Sequence, residues 1–294
     1  MLPIARLAGV MTVAAFIGAA GRPAAVLAQA RGTAGPSSAE ASQTTAPNAY
    51  GPDYNGEDFT RPQNYFELRI EDRTSGSGNP TDTRYFIPRF GGALTLSPDW
   101  KFGWQAQLPL VARKIEAPGD ASQREFGVGD GALQGALIQT LSDRWAYGFG
   151  ARIVMPTADD RLGGGKWTVM PGFGFRYSFL ELGSDTYFVP KIRYAIGVAG
   201  DPTRRSLNQP EIAPTFNLGL PDSWFVTLYP SYDIRINDGA PISGQTGRLF
   251  LPLDVMVGRK LSDNLQVSLE IGVPIVKDYP VYNFKSELRI KAGL

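Results

Sequence analysis

The last eleven residues, FKSELRIKAGL (residues 284–294), show the alternation on which the fold prediction is built. Charged side chains occupy every second position from Lys285 to Lys291, and mostly apolar residues lie between them. A period of two indicates a β-strand, because apolar groups at i, i+2 and i+4 would spread around a helix. In a soluble sandwich the apolar face would enter a core, whereas in a membrane barrel it would face lipid and the charges would face a lumen. One strand leaves both interpretations open.

Composition excludes several classes of function. The chain has 294 residues, a formal net charge of +1, no cysteine and no histidine. The small net charge argues against a nucleic-acid partner. The lack of histidine removes the usual general base and the commonest metal ligand. Some twelve-stranded outer-membrane barrels are lipolytic enzymes, and a Ser–Lys pair stays open, but we predict no catalytic residue, metal or cofactor.

Residues 1–30 have the three parts of a secretory signal peptide. Arg6 precedes an apolar run over residues 7–20, and Ala-Gln-Ala at residues 28–30 matches a cleavage site. The alternative is a membrane anchor helix, but the run is short of the roughly 20 apolar residues that span a bilayer. We predict cleavage near Ala30.

Residues 31–60 are rich in Ala, Ser, Thr, Pro and Gly and show no periodicity. This composition predicts a disordered linker, with a plug inside the barrel as the alternative. The remaining residues, 61–294, are predicted to form the barrel.

Segments of alternating polarity, separated by turn residues, fill the rest of the chain. We place twelve strands at residues 63–72, 83–97, 100–113, 126–141, 145–157, 167–180, 186–198, 209–220, 223–236, 247–260, 264–276 and 281–294. The connections alternate between short turns and longer loops, which is typical of outer-membrane barrels. The fold prediction is therefore all-β, a 12-stranded antiparallel transmembrane β-barrel of the bacterial outer membrane, with a soluble β-sandwich as the alternative.

Aromatic residues follow several of the short turns. Trp100, Trp145 and Trp224 come directly after such turns, and Tyr187 occupies a similar place. Tryptophan and tyrosine favour the boundary between membrane and water, so these four residues are predicted to form an aromatic girdle. The alternative is that tryptophan begins strands because it is a good strand former.

Alternation along each strand also predicts which charged residues face the lumen. The predicted lumen-lining residues are Arg152, Arg176, Lys191, Arg193, Asp233, Arg235, Arg248, Asp254, Glu270, Glu287 and Arg289. One interpretation is a structural ladder of ion pairs, and the other is a constriction that prefers anions. Apolar inward residues near the long-loop end, Ile87, Val111, Val154 and Phe250, are predicted to form a vestibule that gathers aromatic solutes.

The middle of the chain resembles a known family. "LPLVARK" (residues 108–114), "FGVGDGALQGALIQ" (residues 126–139) and "ARIVMPTADDRLGGG" (residues 151–165) are similar to the outer-membrane barrels described as transporters of the MetA pathway of phenol degradation. The resemblance implies an outer-membrane barrel that handles small apolar or aromatic compounds, and it implies no functional residue. Asp130, in the G-x-G-D motif, is either a lumen-mouth residue or, as we favour, a turn residue.

The functional prediction is an outer-membrane channel for small, aromatic or apolar, solutes. The alternative is a non-conducting structural or adhesive barrel. The expected partners are outer-membrane lipid, a small-molecule solute and the barrel-assembly machinery, which commonly recognises a terminal aromatic residue where this chain has Leu294.

Overall fold

The computed structural model describes residues 58–75, 81–116, 122–159, 162–183 and 185–294. Most of these residues lie in β-strands. Among them, no helix is both long enough and apolar enough to cross a bilayer. The signal peptide predicted for residues 1–30 lies outside the described residues.

Fifteen strands form a single sheet. They are β1 (Tyr65–Ser75), β2 (Thr81–Thr95), β3 (Trp100–Gln107), β4 (Leu110–Ile115), β5 (Gln123–Val128), β6 (Ala132–Thr140), β7 (Trp145–Val154), β8 (Lys166–Ser178), β9 (Tyr187–Gly200), β10 (Asn208–Gly219), β11 (Trp224–Leu228), β12 (Ile234–Ile236), β13 (Leu249–Ser262), β14 (Leu265–Lys277) and β15 (Phe284–Gly293). Two short 3-10 turns lie at Leu180–Leu182 and Pro221–Ser223. The pairs β3 and β4, β5 and β6, and β11 and β12 each form one interrupted pass, so the wall has twelve passes.

The sheet closes on itself. Strand β1 pairs antiparallel with both β2 and β15, so that Leu68 lies opposite Pro88 on one side and Ile290 on the other. All pairings in the wall are antiparallel, and the prediction of a closed twelve-stranded antiparallel barrel is confirmed. Closure gives the wall strands hydrogen-bonding neighbours on both sides, which a structure in hydrocarbon requires.

The two ends of the barrel differ. Short turns at residues 96–99, 141–144, 220–223 and 263–264 lie at one end, which we call the short-turn end. At this end Arg144 donates hydrogen bonds of 3.0 and 2.5 Å to the two carboxylate oxygens of Glu181. This hydrogen bonding lowers the pKa of Glu181 to about 2. The other end, which we call the long-loop end, carries the longer connections.

Two of the predicted strands are interrupted near the long-loop end. The strand predicted over residues 100–113 breaks at Pro109, whose ring leaves no N–H for the ladder. The strand predicted over residues 126–141 breaks at residues 129–131, where the Gly129 N–H donates to the Pro109 carbonyl at 2.8 Å. The two breaks face each other across one pairing, so the wall stays continuous.

The third interruption, at residues 229–233, turns into the barrel. Leu228 pairs with Phe216 and Ile234 pairs with Ile212, so five residues lie opposite three on β10. Tyr229 adopts a left-handed backbone conformation with φ of 51°. The prediction of one strand over residues 223–236 is therefore wrong at its centre. We call residues 229–233 the inward bulge.

The apolar faces of the strands point outward. On β14, Leu269, Ile271, Val273 and Ile275 are 42–63% exposed, while Glu270 between them is fully buried. The terminal stretch follows the same rule, with its charged residues buried and its apolar residues partly or largely exposed. This outer surface matches lipid, as the alternation predicted.

Three of the four predicted girdle residues lie on the outer surface. Trp100, Trp145 and Trp224 begin β3, β7 and β11 at the short-turn end, and the last two are 45% and 44% exposed. Tyr187 also begins a strand, but it is fully buried inside the barrel and Phe188 lies on the outer face. Its assignment to the girdle is wrong, because Tyr187 has the same parity along β9 as Lys191 and Arg193, whose side chains also face the interior.

Candidate functional site

Charged residues on β1, β15 and β14 form rows across the inner wall. Glu71 lies opposite Glu287, which lies opposite Glu270. We call these three residues the acidic row. Arg69 and Arg289 lie opposite each other one step toward the short-turn end, and Arg73 and Lys285 do so one step toward the long-loop end. Like charges directly opposite each other repel, so this arrangement is stable only if each row is neutralised by its neighbours.

Ion pairs between the rows supply that neutralisation. Arg69 donates to Glu287 at 3.1 Å and also contacts Glu67. Arg289 contacts both Glu287 and Glu270. All five side chains are at most 9% exposed. This side of the interior is therefore a ladder of buried ion pairs, which satisfies charges that would otherwise be costly to bury.

Lys285 is the centre of a second buried cluster. Its ammonium group contacts Asp233 and Glu270 and lies 3.7 Å from Asp254. Tyr282 donates a hydrogen bond of 3.0 Å to Asp254. The three carboxylates offer oxygens within 4.8 Å of one another, a spacing that suits a cation, and the lysine supplies that charge from within the chain.

The inward bulge connects this cluster to the opposite wall. Ser231 donates to Glu270 and accepts from Arg289, both at 3.1 Å. The Tyr232 ring lies 4.2 Å from the Arg193 guanidinium and 5.4 Å from the Lys191 ammonium. Cations over an aromatic face are attracted by its quadrupole. The bulge therefore narrows the interior at mid-height.

Residues 58–62, which we call the N-terminal strap, lie inside the barrel toward the short-turn end. Asp58 is 4% exposed and accepts a hydrogen bond of 3.4 Å from Arg176. The Phe59 ring packs on the bare backbone of Gly148 and Gly174, where an added Cβ would collide with it. Residues 58–60, which lie in the segment predicted to be a linker or a plug, thus contact the barrel wall, and residues 31–57 lie outside the described part of the chain.

A cavity of about 350 Å³ lies between the strap, the inward bulge and the wall. Its volume is within the usual range for small-molecule sites. It is lined by seven cations but only three carboxylates, together with the rings of Phe59, Tyr85 and Tyr232. The lining cations are Arg69, Arg73, Arg89, Arg152, Lys191, Arg193 and Arg235. The lining of the cavity thus carries more cations than carboxylates.

The structure places most of the predicted lumen residues inside the barrel. Those that line the cavity are Arg152, Lys191, Arg193, Asp233, Arg235 and Glu287. Asp254, Glu270 and Arg289 are buried in the ion-pair clusters, and Arg176 holds the strap. Arg248 does not line the lumen. Its side chain is 62% exposed and pairs with Asp238 at the rim, because β13 begins only at Leu249.

Three of the four residues predicted for the apolar vestibule, Ile87, Val111 and Phe250, do not line a common apolar space. Val111 and Phe250 are fully buried, and Phe250 packs against Tyr282 with ring centroids 4.7 Å apart. Ile87 lines the cavity among charged residues. Asp130, which we expected in a turn, accepts hydrogen bonds from the backbone N–H groups of Ala158 and Gly164 at 3.2 and 2.6 Å. It anchors the loop after β7.

Several cavity residues were missed from the sequence. Arg73 was missed because the first strand was predicted to end one residue earlier, and Phe59 was assigned to the linker. Ser231 and Tyr232 were treated as part of a regular strand, although Pro230 beside them marks a break in strand pairing. This proline is the signal in the sequence that indicates the bulge.

The family is shown by a model described as "Putative MetA-pathway of phenol degradation", which matches residues 81–276. The chain belongs to this family. The match covers two thirds of the chain, including every strand from β2 to β13 and nearly all of β14. It confirms the resemblance seen in the G-x-G-D motif and its flanking segments.

Two solved structures align with most of this chain. An outer membrane channel from Pseudomonas putida F1 aligns with a TM-score of 0.63 and 16% identity, over 79% of this chain and 96% of that chain. The transport unit of the autotransporter AIDA-I from Escherichia coli aligns with a TM-score of 0.48 and 11% identity, over 84% and 99% of the two chains. No curated protein matches the sequence. The first alignment shows that this family member has an outer-membrane barrel fold.

Proposed function

We propose that this protein is an outer-membrane channel that passes small solutes, aromatic or apolar in character, through a narrow charged lumen. The observation that carries the proposal is the cavity of about 350 Å³ in the middle of the barrel. A barrel that served only as a scaffold would gain from filling this space with side chains, since close packing is the rule in protein interiors. Twelve strands also lie between the filled eight-stranded barrels and the open porins.

The membership of the phenol-degradation family supports an aromatic solute. The cavity lining supports it as well, because Phe59, Tyr85 and Tyr232 present rings to the same space. The charged groups around these rings keep the passage wet and suit solutes that carry a polar group. The proposed location is the outer membrane, with the apolar strand faces in contact with lipid and the assembly machinery acting during insertion.

Solute flux through the purified protein in liposomes tests the proposal. We expect liposomes that contain the protein to admit small aromatic solutes faster than sugars of similar mass. Liposomes without protein provide the baseline. Equal rates for sugars and aromatics would contradict the proposed selectivity, and the absence of any protein-dependent flux would contradict the channel itself.

A non-conducting barrel is the second candidate function, and the N-terminal strap favours it. The strap occupies the interior near the short-turn end and is held by the buried Arg176–Asp58 pair. In that case the protein would have a structural or adhesive role, and single-channel recordings would show no conductance.

A further inference from the structure

Arg152 differs from the other cations that line the cavity. Arg193 pairs with Glu211 at 2.5 Å, Arg235 with Asp233 at 3.1 Å and Arg69 with Glu287 at 3.1 Å. By contrast, Arg152 makes no hydrogen bond and no ion pair with any residue that the structure describes. An unneutralised guanidinium in a confined interior keeps a strong positive potential, and it attracts an anion to complete its hydrogen bonds.

A recess of about 40 Å³ lies beside Arg152 and shares lining residues with the main cavity, which supplies the room for a ligand. Arg152 on β7 lies opposite Gln134 on β6. Two residues toward the short-turn end, Gly150 on β7 lies opposite Gly172 on β8. Gly172 in turn lies opposite Arg193 on β9. Both glycines line a recess together with Arg152 and Arg193. This recess and the main cavity share Phe59, Gln134, Arg152, Arg193 and Tyr232 as lining residues.

The groups around this recess define the chemistry of its ligand. The guanidinium of Arg152 matches a carboxylate in geometry, since it presents two parallel N–H donors. Gln134 adds an amide that donates or accepts a hydrogen bond. The rings of Phe59 and Tyr232 border the same recess as the bare glycine backbone, and a planar ring stacks well on such surfaces. One free cation beside two rings suits a planar monoanion.

We propose that Arg152 is the binding residue for the carboxylate of a small aromatic acid that enters the central cavity, with Gln134 as a second polar contact. This inference rests on the proposed channel function, and it makes the substrate class an organic anion rather than a neutral aromatic compound. The ion-pair ladder on β1, β14 and β15 then stabilises the barrel, and Arg152 on the opposite wall binds the carboxylate of the solute.

Calorimetric titration of the folded, detergent-solubilised protein tests the proposal without requiring transport. Benzoate is the probe, and benzamide is its neutral counterpart of similar shape. We expect benzoate to bind about tenfold or more tightly than benzamide, because hydrogen bonds to a charged partner are worth more than neutral ones. Arg152→Gln should lower benzoate binding to the level of benzamide and leave benzamide binding unchanged.

Two further variants separate a specific contact from a general charge effect. Arg152→Lys keeps the charge but loses the planar pair of donors, so benzoate should bind with an affinity between those of the wild type and Arg152→Gln. Lys101→Gln removes a positive charge from the inner face of β3 outside the cavity, and it should leave benzoate binding unchanged. Heat-dependent migration on gels confirms that each variant is folded.

The outcomes for this inference and for the channel are distinguishable. Benzoate binding that depends on Arg152, without flux in liposomes, would support the binding site and contradict the channel. Flux of solutes with no difference between benzoate and benzamide would contradict the binding site and leave the channel in place. Failure of the folded wild type to bind benzoate, or equal binding by wild type and Arg152→Gln, would overturn the inference.

Discussion

Lys285 shows what a single residue contributes to the interior of this barrel. It is 1% exposed, and its ammonium group contacts Asp233 and Glu270 and lies near Asp254. The alternation of the terminal strand predicted that this lysine faces inward. The alternation could not predict the partners of Lys285, because Asp254 lies on β13 and Asp233 lies in the inward bulge.

We predict that Lys285→Met destabilises the barrel by about 3 to 5 kcal/mol, because three buried carboxylates lose their shared cation. The measurement is unfolding in urea, with the protein in lipid vesicles. The matched control is Arg84→Met, which breaks the ion pair of Arg84 with Asp72. The two side chains of that pair are 55% and 42% exposed, so the loss should stay below about 1 kcal/mol.

Equal destabilisation by the two variants would contradict this account of the cluster. It would mean that the interior around Lys285 is as well hydrated as the outer rim, so that burial adds nothing to the strength of the pairs. A Lys285→Met variant as stable as the wild type would contradict this account in the same way.

At the scale of strands, the alternation of polarity and the turn residues predict the twelve passes. The interruptions within the passes arise instead where the backbone cannot continue the ladder of hydrogen bonds. Pro109 and Pro230 mark two of the three breaks, and both are visible in the sequence. The direction of the bulge is not visible. It depends on the contacts of Ser231 with Glu270 and Arg289 and of Tyr232 with Arg193, which link strands far apart in sequence.

We predict that Tyr232→Ala raises the single-channel conductance, because the ring projects into the cavity at mid-height. The substitution also removes the cation–π contacts to Arg193 and Lys191, which should lower the stability of the barrel by only about 0.5 to 2 kcal/mol. The measurement is conductance in planar bilayers. Tyr177→Ala is the control, because it removes the same ring from the outer face, where Tyr177 packs on Trp145.

A conductance that is the same in wild type and Tyr232→Ala would show that the narrowest part of the passage lies elsewhere. The N-terminal strap would then be the next constriction to examine, since it lies closer to the short-turn end. An increase in both tyrosine variants would indicate a general loosening of the barrel.

At the scale of the whole molecule, the sequence predicted a closed tube but not what lies inside it. Twelve alternating segments with short and long connections indicate closure, because an open edge is not tolerated in lipid. The contact of Asp58 with Arg176 joins residues 118 positions apart, and no periodicity signals such a pair. Composition alone therefore assigned residues 58–60 of the strap to a linker, with a plug as the alternative.

We predict that deletion of residues 31–62 raises the conductance of the barrel more than deletion of residues 31–57, which leaves the strap in place. The physical reason is that Phe59 fills the space above Gly148 and Gly174, and Asp58 holds it there through Arg176. Without the strap, water can fill this half of the interior and hydrate Arg176, so the charged lumen stays compatible with a folded barrel. Single-channel recordings and liposome swelling, with the signal peptide retained in both variants, measure the effect.

If both deletions conduct like the full chain, the strap does not obstruct the passage and solutes pass beside it. If the full chain is silent and only the longer deletion conducts, the native protein is a closed barrel, and the second candidate function gains support over the first.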